Sequence, residues 1–414
     1  MVETFQLPGE PVRRRWLAPM PVAYRREGVV AVSETRWVDG PVSAVTCTEP
    51  ERRTLTTWDR LVVDTSGTDV AQLRAWAQVR RAAGFTPLYV LAYAGADLVA
   101  GAQILQRRLP VLGRIGYLPF GPVIAPHAAR AHIRGALGRA LAYVGRHRLR
   151  MLFVQPPEGT DDMSSDLLSR GFRPSAAGIA PTGSIRVDLS VPEAELQRGL
   201  SRQLRNWARN KKWEANGVVV RVGDENDVPV LADLLAHSAA YQGFEPFSEH
   251  YLRTLYRELA AQGCVRLLLG EIGDGPVAGQ LYTACGGTLK LRIMGYRRTE
   301  TAQRLRVPGA LMWEGMRWGK AHGYRWFDLG GLRPESLRIL LDGGDRNALH
   351  GADEYKVRSG GTPYRYPPPV ELISSAALRA SYDLSRRWRG GKRLLNFGRR
   401  LIRGGRSRPA GMQR

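Results

Sequence analysis

Four cations, Arg202, Arg205, Arg209 and Lys212, stand out among the chemistry-bearing residues of this 414-residue chain because of their spacing. Steps of three and four residues put them on one face of a helix, where a phosphate chain can lie. The surrounding stretch, Leu200-Ser-Arg-Gln-Leu-Arg-Asn-Trp-Ala-Arg-Asn-Lys-Lys-Trp-Glu-Ala-Asn-Gly217, is expected to continue a helix begun at Val191-Pro-Glu, where the missing N–H of Pro192 costs nothing. A basic face of this kind also suits plain solvation. The net charge of +23, the pI of about 10.6 and the tryptophans at 207 and 213 weigh for a polyanionic partner: nucleic acid, anionic lipid or a diphosphate-bearing substrate.

Other chemistries lack their residues. The chain has no Gly-x-x-x-x-Gly-Lys-Ser/Thr phosphate loop, no Gly-x-Ser-x-Gly elbow and no His-Glu-x-x-His pair. Cys47, Cys264 and Cys285 are too few and scattered for a disulfide framework or a zinc site, and the seven histidines have no ligand spacing, so no metal is expected. Without an apolar run of about 18 residues or a signal-peptide pattern at Met1-Val-Glu-Thr-Phe-Gln-Leu-Pro, a cytoplasmic location is expected, with peripheral contact to the inner face of an anionic membrane open to so basic a chain.

The elements that must position these residues occur twice. Tyr89-Val-Leu-Ala-Tyr-Ala-Gly-Ala-Asp-Leu-Val-Ala-Gly-Ala-Gln103 leads to Gly116-Tyr-Leu-Pro-Phe-Gly-Pro-Val123, and Leu267-Leu-Leu-Gly-Glu-Ile-Gly-Asp-Gly-Pro-Val-Ala-Gly-Gln280 leads to Leu289-Lys-Leu-Arg-Ile-Met-Gly-Tyr296. Each copy continues into a helical stretch and a short apolar strand, Arg150–Gln155 and Arg325–Gly330. One strand-turn-strand, strand, helix, strand unit used twice predicts two related α/β domains. The expected division is an irregular basic extension over 1–54, a first domain over 55–190, a second over 191–370 and a basic helix or tail over 371–414 that packs back on the first domain. The helix over Asp69 to Ala83 is expected to stop at Gly84, and Pro181 to Ser190 is expected to be the strand closing the first copy.

This order of elements resembles the GNAT-type N-acetyltransferase fold in the α/β (α+β) class, as two tandem copies related by internal duplication. Where GNAT enzymes grip the coenzyme A diphosphate with Arg/Gln-x-x-Gly-x-Gly/Ala, this chain reads Gln303-Arg-Leu-Arg-Val-Pro-Gly-Ala-Leu311 and lacks the second small residue, so coenzyme A is not favoured. The chain resembles more specifically the FemABX peptidyltransferases. The resemblance spans most of residues 58–370 and is carried by Trp76-Ala-Gln-Val-Arg-Arg, Gly101-Ala-Gln103, Gly121-Pro-Val123, Pro181-Thr-Gly-Ser, Gln242-Gly-Phe244, Leu311–Lys320, Phe327-Asp-Leu-Gly-Gly331 and Tyr355-Lys-Val-Arg-Ser-Gly-Gly361. The lack of a long helical insertion is similar to the FemX branch.

The resemblance implies transfer of an amino acid from aminoacyl-tRNA to the amine of a peptidoglycan precursor, lipid II or its nucleotide-linked form, in interpeptide bridge formation, with no cofactor beyond the charged tRNA. It places Lys356 near the transferred group as the catalytic cation, and Arg80 at the acceptor's diphosphate. Tyr117, Tyr241 and Tyr355 fall at substrate-binding positions, and Arg202, Arg205, Arg209 and Lys212 on the tRNA surface. Departures bear on the acceptor. Phe120 replaces the family's arginine in Pro-Arg-Gly-Pro-Val, and Tyr241 replaces a second diphosphate-binding arginine, a loss of roughly 2–5 kcal/mol if that contact is buried. Asp328 is expected to fix a turn, and Trp313 and Trp318 to pack in the core. The same transfer to a small metabolite, and a non-catalytic RNA- or membrane-binding role, are the alternatives.

Overall fold

A computed structural model describes residues 35–387 other than Val111, Asp274 and His350. The first sheet opens with the hairpin β1 (Arg36–Asp39) and β2 (Val42–Cys47), so residues 36–47 are sheet edge and not the irregular extension expected to reach residue 54. Alternation of Val42 and Ala44 toward the core is the local signal for β2. Helix α1 (Arg52–Asp64) and helix α2 (Arg74–Arg81) follow, the latter preceded by a single 3₁₀ turn at Val70–Gln72. The expected single helix over 69–83 therefore starts late, because the Asp69 carboxylate accepts from the Ala71 N–H and Leu73 is extended.

Next come β3 (Thr86–Ala94), β4 (Asp97–Leu109), β5 (Gly113–Pro119), the short β6 (Val123–Ile124), α3 (Arg130–Tyr143), β7 (Met151–Gln155), α4 (Asp161–Ser169) and β8 (Arg173–Pro174). β3 buries both faces: Leu88, Val90 and Ala92 pack with α3, while Tyr89 and Leu91 pack with α1 and α2.

The second half begins earlier than residue 191. β9 (Gly183–Asp188), expected to close the first copy, joins the second sheet between two later strands. Then follow α5 (Glu193–Gly199), α6 (Arg202–Arg209), α7 (Lys212–Ala215), β10 (Val218–Gly223), α8 (Val228–Gln242), α9 (Glu249–Ala260), β11 (Val265–Ile272), β12 (Gly275–Cys285) and β13 (Thr288–Tyr296). The chain continues through α10 (Glu300–Leu305), α11 (Val307–Ala321), β14 (Trp326–Gly331), α12 (Pro334–Leu341), α13 (Ala352–Arg358) and β15 (Thr362–Arg365). It ends with β16 (Val370–Ile373) and α14 (Ala376–Arg387).

The sheet orders are β1-β2-β3-β4-β5-β7-β16-β8, with β6 on β4, and β10-β11-β12-β13-β14-β9-β15. Each has antiparallel neighbours up to one parallel pair, β5 with β7 and β13 with β14, followed by an antiparallel strand from elsewhere in the chain. β16 returns to the first sheet, Val370 opposite Val154, and α14 packs there through Leu378 and Tyr382. The rest of the expected tail, 388–414, lies outside the described residues.

Helices from both halves share one apolar layer. Trp58 of α1, Leu73 just before α2 and Val79 of α2 pack in the same cluster as Leu231 of α8, Leu252 of α9 and Ile293 of β13. A continuous core of this kind holds the two halves as one body.

Candidate functional site

The second sheet opens where its parallel pair parts. β13 and β14 pair for three residues, Thr288 with Trp326 through Lys290 with Asp328, and then diverge. The equivalent strands of the first sheet stay paired for five, Ile115 with Met151 through Pro119 with Gln155, and the Gly121 N–H extends the contact to the Gln155 carbonyl at 3.1 Å. The parted strands leave a cleft of about 1360 Å³. Met294 and Tyr296 of β13 form one wall, and Gly331 and Leu332 at the end of β14 form another. Arg306, Pro308 and Gly309 at the start of α11 close one end, with Ser201 and Leu204 of α6 beside them. A Cβ on Gly309 would lie 2.7 Å from the Leu204 side chain, so the glycine is what lets α6 pack against this helix start.

Charge in the cleft is predominantly positive: Arg298, Arg306, Arg333, Lys356 and Arg358 against Asp353 and Glu354. The two acids are already engaged. Asp353, held below the usual carboxylate range despite burial, accepts from Arg333 Nε and Ser336 Oγ, each at 2.7 Å, and Glu354 pairs with Arg358 at 2.7 Å. Arg298 has no carboxylate within 4.0 Å among the described residues and lies 4.1 Å from the Tyr241 ring, while Arg306 adopts φ 55° and is likewise without an ion pair there. Such a surplus suits a phosphate-bearing ligand.

Lys356 sits on the wall of this cleft. Its ammonium donates to the Gly331 carbonyl and lies 4.0 Å from the nearer Asp353 oxygen. The Phe327–Gly331 and Tyr355–Gly361 stretches, 25 residues apart at these two atoms, thus meet at one point. Burial lowers the proton affinity of Lys356 below that of an ordinary lysine, with Asp353 and Asp328 opposing. Tyr355 also faces the cleft and donates to the Pro308 carbonyl at 2.9 Å, which Gln280 Nε2 also reaches at 3.0 Å. Burial raises the Tyr355 hydroxyl well above the ordinary phenol, so it acts as a donor at neutral pH.

The two glycines ending the lysine's stretch hold it in place. Gly360 and Gly361 have φ of 88° and 91°, and a Cβ on Gly361 would lie 2.5 Å from the Arg186 carbonyl oxygen. Gly361→Ala is expected to cost at least about 1–3 kcal/mol, read as a lowered midpoint in urea unfolding; an unchanged midpoint would show that the backbone here is free to adjust.

Of the expected site residues, Lys356, Tyr355 and Tyr241 come together at the cleft. Tyr241 is 70% exposed at its rim, with Gln242 and Phe244 beside it. Arg80 and Tyr117 do not join them. Arg80 is buried with its guanidinium 5.0 Å from the Phe85 ring, and Tyr117 is a core residue between Phe85 and Phe153, stacked on the latter at 5.6 Å. Tyr117 sits in the apolar cluster that Leu378 and Tyr382 of α14 join, and Arg80 packs against Phe85 of that cluster.

The basic stretch is not one helix. Lys211 takes a left-handed conformation, φ 48°, so α7 turns away and Lys212 leaves the face carrying Arg202, Arg205 and Arg209. Those three arginines are exposed on α6, beside the cleft, with Leu204 and Ala208 buried behind them. Trp207 and Trp213 pack on each other at 5.9 Å, and Trp213 donates to the Leu305 carbonyl at 3.0 Å, so the pair braces α7 against the end of α10.

Between the halves lies a buried ion network that spacing does not reveal. Asp69 pairs with Lys290 at 2.7 Å and Arg292 at 2.8 Å; Asp328 accepts from Tyr366 and Ser184 at 3.1 Å and lies 3.4 Å from Arg186, which pairs with Glu158. Asp328 also accepts from the Gly330 N–H at 2.7 Å, inside β14, where the pairing with β9 shifts register between Asp328 and Gly331. Lys290 also lies 4.5 Å from the Phe120 ring. Among the described residues no group of three or more His, Cys, Asp or Glu is placed to hold a metal, and no helix is long and apolar enough to cross a membrane.

Residues 199–357 match the family described as the acetyltransferase (GNAT) domain. The fold is GNAT-like. Among solved structures the chain is similar to FemX, with a TM-score of 0.69 and 15% identity over 81% of this chain and 99% of that one. It is also similar, at TM-scores of 0.47 and 0.46, to L-PGS from Bacillus licheniformis (14% identity, 85% and 98% covered) and to a tandem GNAT protein from the clavulanic acid biosynthesis pathway (12% identity, 81% and 99% covered). No curated protein matches. Two sheets of matching strand course are consistent with tandem GNAT-like domains, and most of the cleft's lining, Lys356 included, falls within the matched residues, with 178–182 and Arg358 contributed from outside them.

Proposed function

We propose that this chain is an aminoacyltransferase that takes an amino acid from aminoacyl-tRNA and joins it to the amine of a cell-wall peptide precursor. The observation that carries the reading is the cationic cleft between β13 and β14 with Lys356 on its wall and the α6 arginines beside it. The charged 3′ end of the tRNA enters the cleft, with Arg298 and Arg306 at its phosphates. The acceptor amine attacks the ester carbonyl; the new C–N bond forms as the C–O bond to the ribose breaks, and the amine's proton ends on the ribose hydroxyl. Lys356 is a fixed cation for the charge that develops on oxygen, and no covalent enzyme intermediate is needed. The matching strand courses support an origin of the two halves by duplication.

The start of α11 speaks against a coenzyme A diphosphate in the same place. Pro308 has no N–H, and the Gly309 N–H is bonded to the Arg306 carbonyl at 2.8 Å, so the backbone donors that grip a diphosphate at such a helix start are depleted. Contact with the tRNA body falls to α6. Changing Arg202, Arg205 and Arg209 together to alanine is expected to weaken tRNA retention on filters and flatten its salt dependence by about one logarithmic unit per lost contact. An unchanged salt slope would remove α6 from the tRNA surface.

A further inference from the structure

We infer that one end of the first sheet is a docking surface for an anionic lipid membrane. Arg108 of β4 lies directly opposite Arg114 of β5. Arg150, just before β7, donates its N–H to the Arg114 carbonyl at 2.7 Å and continues the parallel register that pairs Ile115 with Met151. The Arg150 carbonyl in turn accepts from Ser374, where β16 gives way to α14. Three arginines therefore stand side by side on neighbouring strands and the same sheet face, about 4.8 Å from strand to strand. All three are exposed, and among the described residues no carboxylate lies within 4.0 Å of any of them.

Like charges placed directly opposite one another destabilise a sheet unless an anion relieves them. The apolar tip of the same hairpin says which anion. Leu112 is 38% exposed between the two strands, next to exposed Pro110 and half-buried Leu109. A leucine at the tip with arginines one step behind it matches a bilayer, with acyl chains beyond a layer of phosphates, better than an RNA helix, which offers phosphates alone. The chain beyond 387 adds nine Lys and Arg and no acidic residue, interleaved with Trp388, Leu394, Leu395, Phe397, Leu401 and Ile402, a composition of the same character. This surface is remote in sequence from the cleft and does not depend on the transferase reading.

The test is flotation of the full chain with equimolar phosphatidylglycerol and phosphatidylcholine vesicles, against phosphatidylcholine alone. The wild type is expected to float only with the anionic vesicles. Arg108→Glu, Arg114→Glu and Arg150→Glu together should lower partitioning by roughly a hundredfold, and Leu112→Asp alone by several-fold, with tRNA retention unchanged. Should the triple variant fail to fold by circular dichroism, Arg114→Gln and Leu112→Asp, each alone, carry the decision. Flotation of the folded variants equal to wild type overturns the inference and leaves membrane contact to other cations. Loss of tRNA retention with flotation unchanged overturns it in favour of an RNA surface.

Discussion

Lys356→Ala is expected to lower the rate of aminoacyl transfer by about 10²–10³-fold while leaving tRNA retention within a few-fold of wild type. The size follows from what the side chain does in the structure. Its ammonium is held by the Gly331 carbonyl at the mouth of the parted strands, too far at 4.0 Å for a close ion pair with Asp353. A cation positioned in this way need not reorganise as charge develops on the ester oxygen. Burial also makes Lys356 give up its proton at lower pH than a free lysine. As pH rises, transfer should therefore fail earlier than the ordinary lysine range, after correction for spontaneous ester hydrolysis, and Lys356→Arg should move that failure upward if it retains activity. A transfer rate within threefold of wild type in Lys356→Ala would leave the lysine a structural role only.

Asp69→Ala is expected to cost about 3–5 kcal/mol of folding stability, the largest single effect on the fold. Asp69 is buried and answers both Lys290 and Arg292; removing it leaves two largely buried cations at the seam of the halves without their shared carboxylate. Burial raises the affinity of Asp69 for a proton, yet Arg292 and Lys290 override it and hold the carboxyl far below the usual range. Its folded-state value is depressed, so its contribution is complete above about pH 4, where an unfolded aspartate ionises, and is lost only as pH falls further toward the folded value. Urea midpoints of wild type and Asp69→Ala should differ by a constant amount from pH 7 to pH 5 and converge below pH 4. A gap under about 1 kcal/mol at pH 7 would mean that water reaches the network.

Much of the fold is legible in local pattern. The two buried glutamines 177 positions apart (280 − 103) mark equivalent central strands, and each ties its sheet to a nearby backbone segment: Gln103 donates to the Leu73 carbonyl at 2.9 Å, Gln280 to that of Pro308 at 3.0 Å. What is not legible is pairing across long separations. β9 reads correctly as an alternating strand, but its partners are 326–331 and 362–365, and nothing in its own residues selects the second sheet over the first. The break at Lys211 is equally silent, since a left-handed lysine lacks the glycine signal that marks such turns elsewhere in the chain. At the site, the stretch holding Lys356 is identifiable, whereas Arg298 and Arg306 become cleft residues only because β13 and β14 part. Tyr117 is a case of the same kind: nothing in its own stretch foretells that Tyr382 of α14 packs into the same cluster.

The most direct test is to offer the full chain a pool of radiolabelled aminoacyl-tRNAs, and separately labelled acetyl-coenzyme A, with lipid II and its soluble nucleotide-linked precursor as acceptors. Label from tRNA in the peptide of either acceptor, absent with Lys356→Ala, with none from acetyl-coenzyme A, is the expected result. Label from acetyl-coenzyme A alone would contradict it and make the cleft a coenzyme A site despite Pro308.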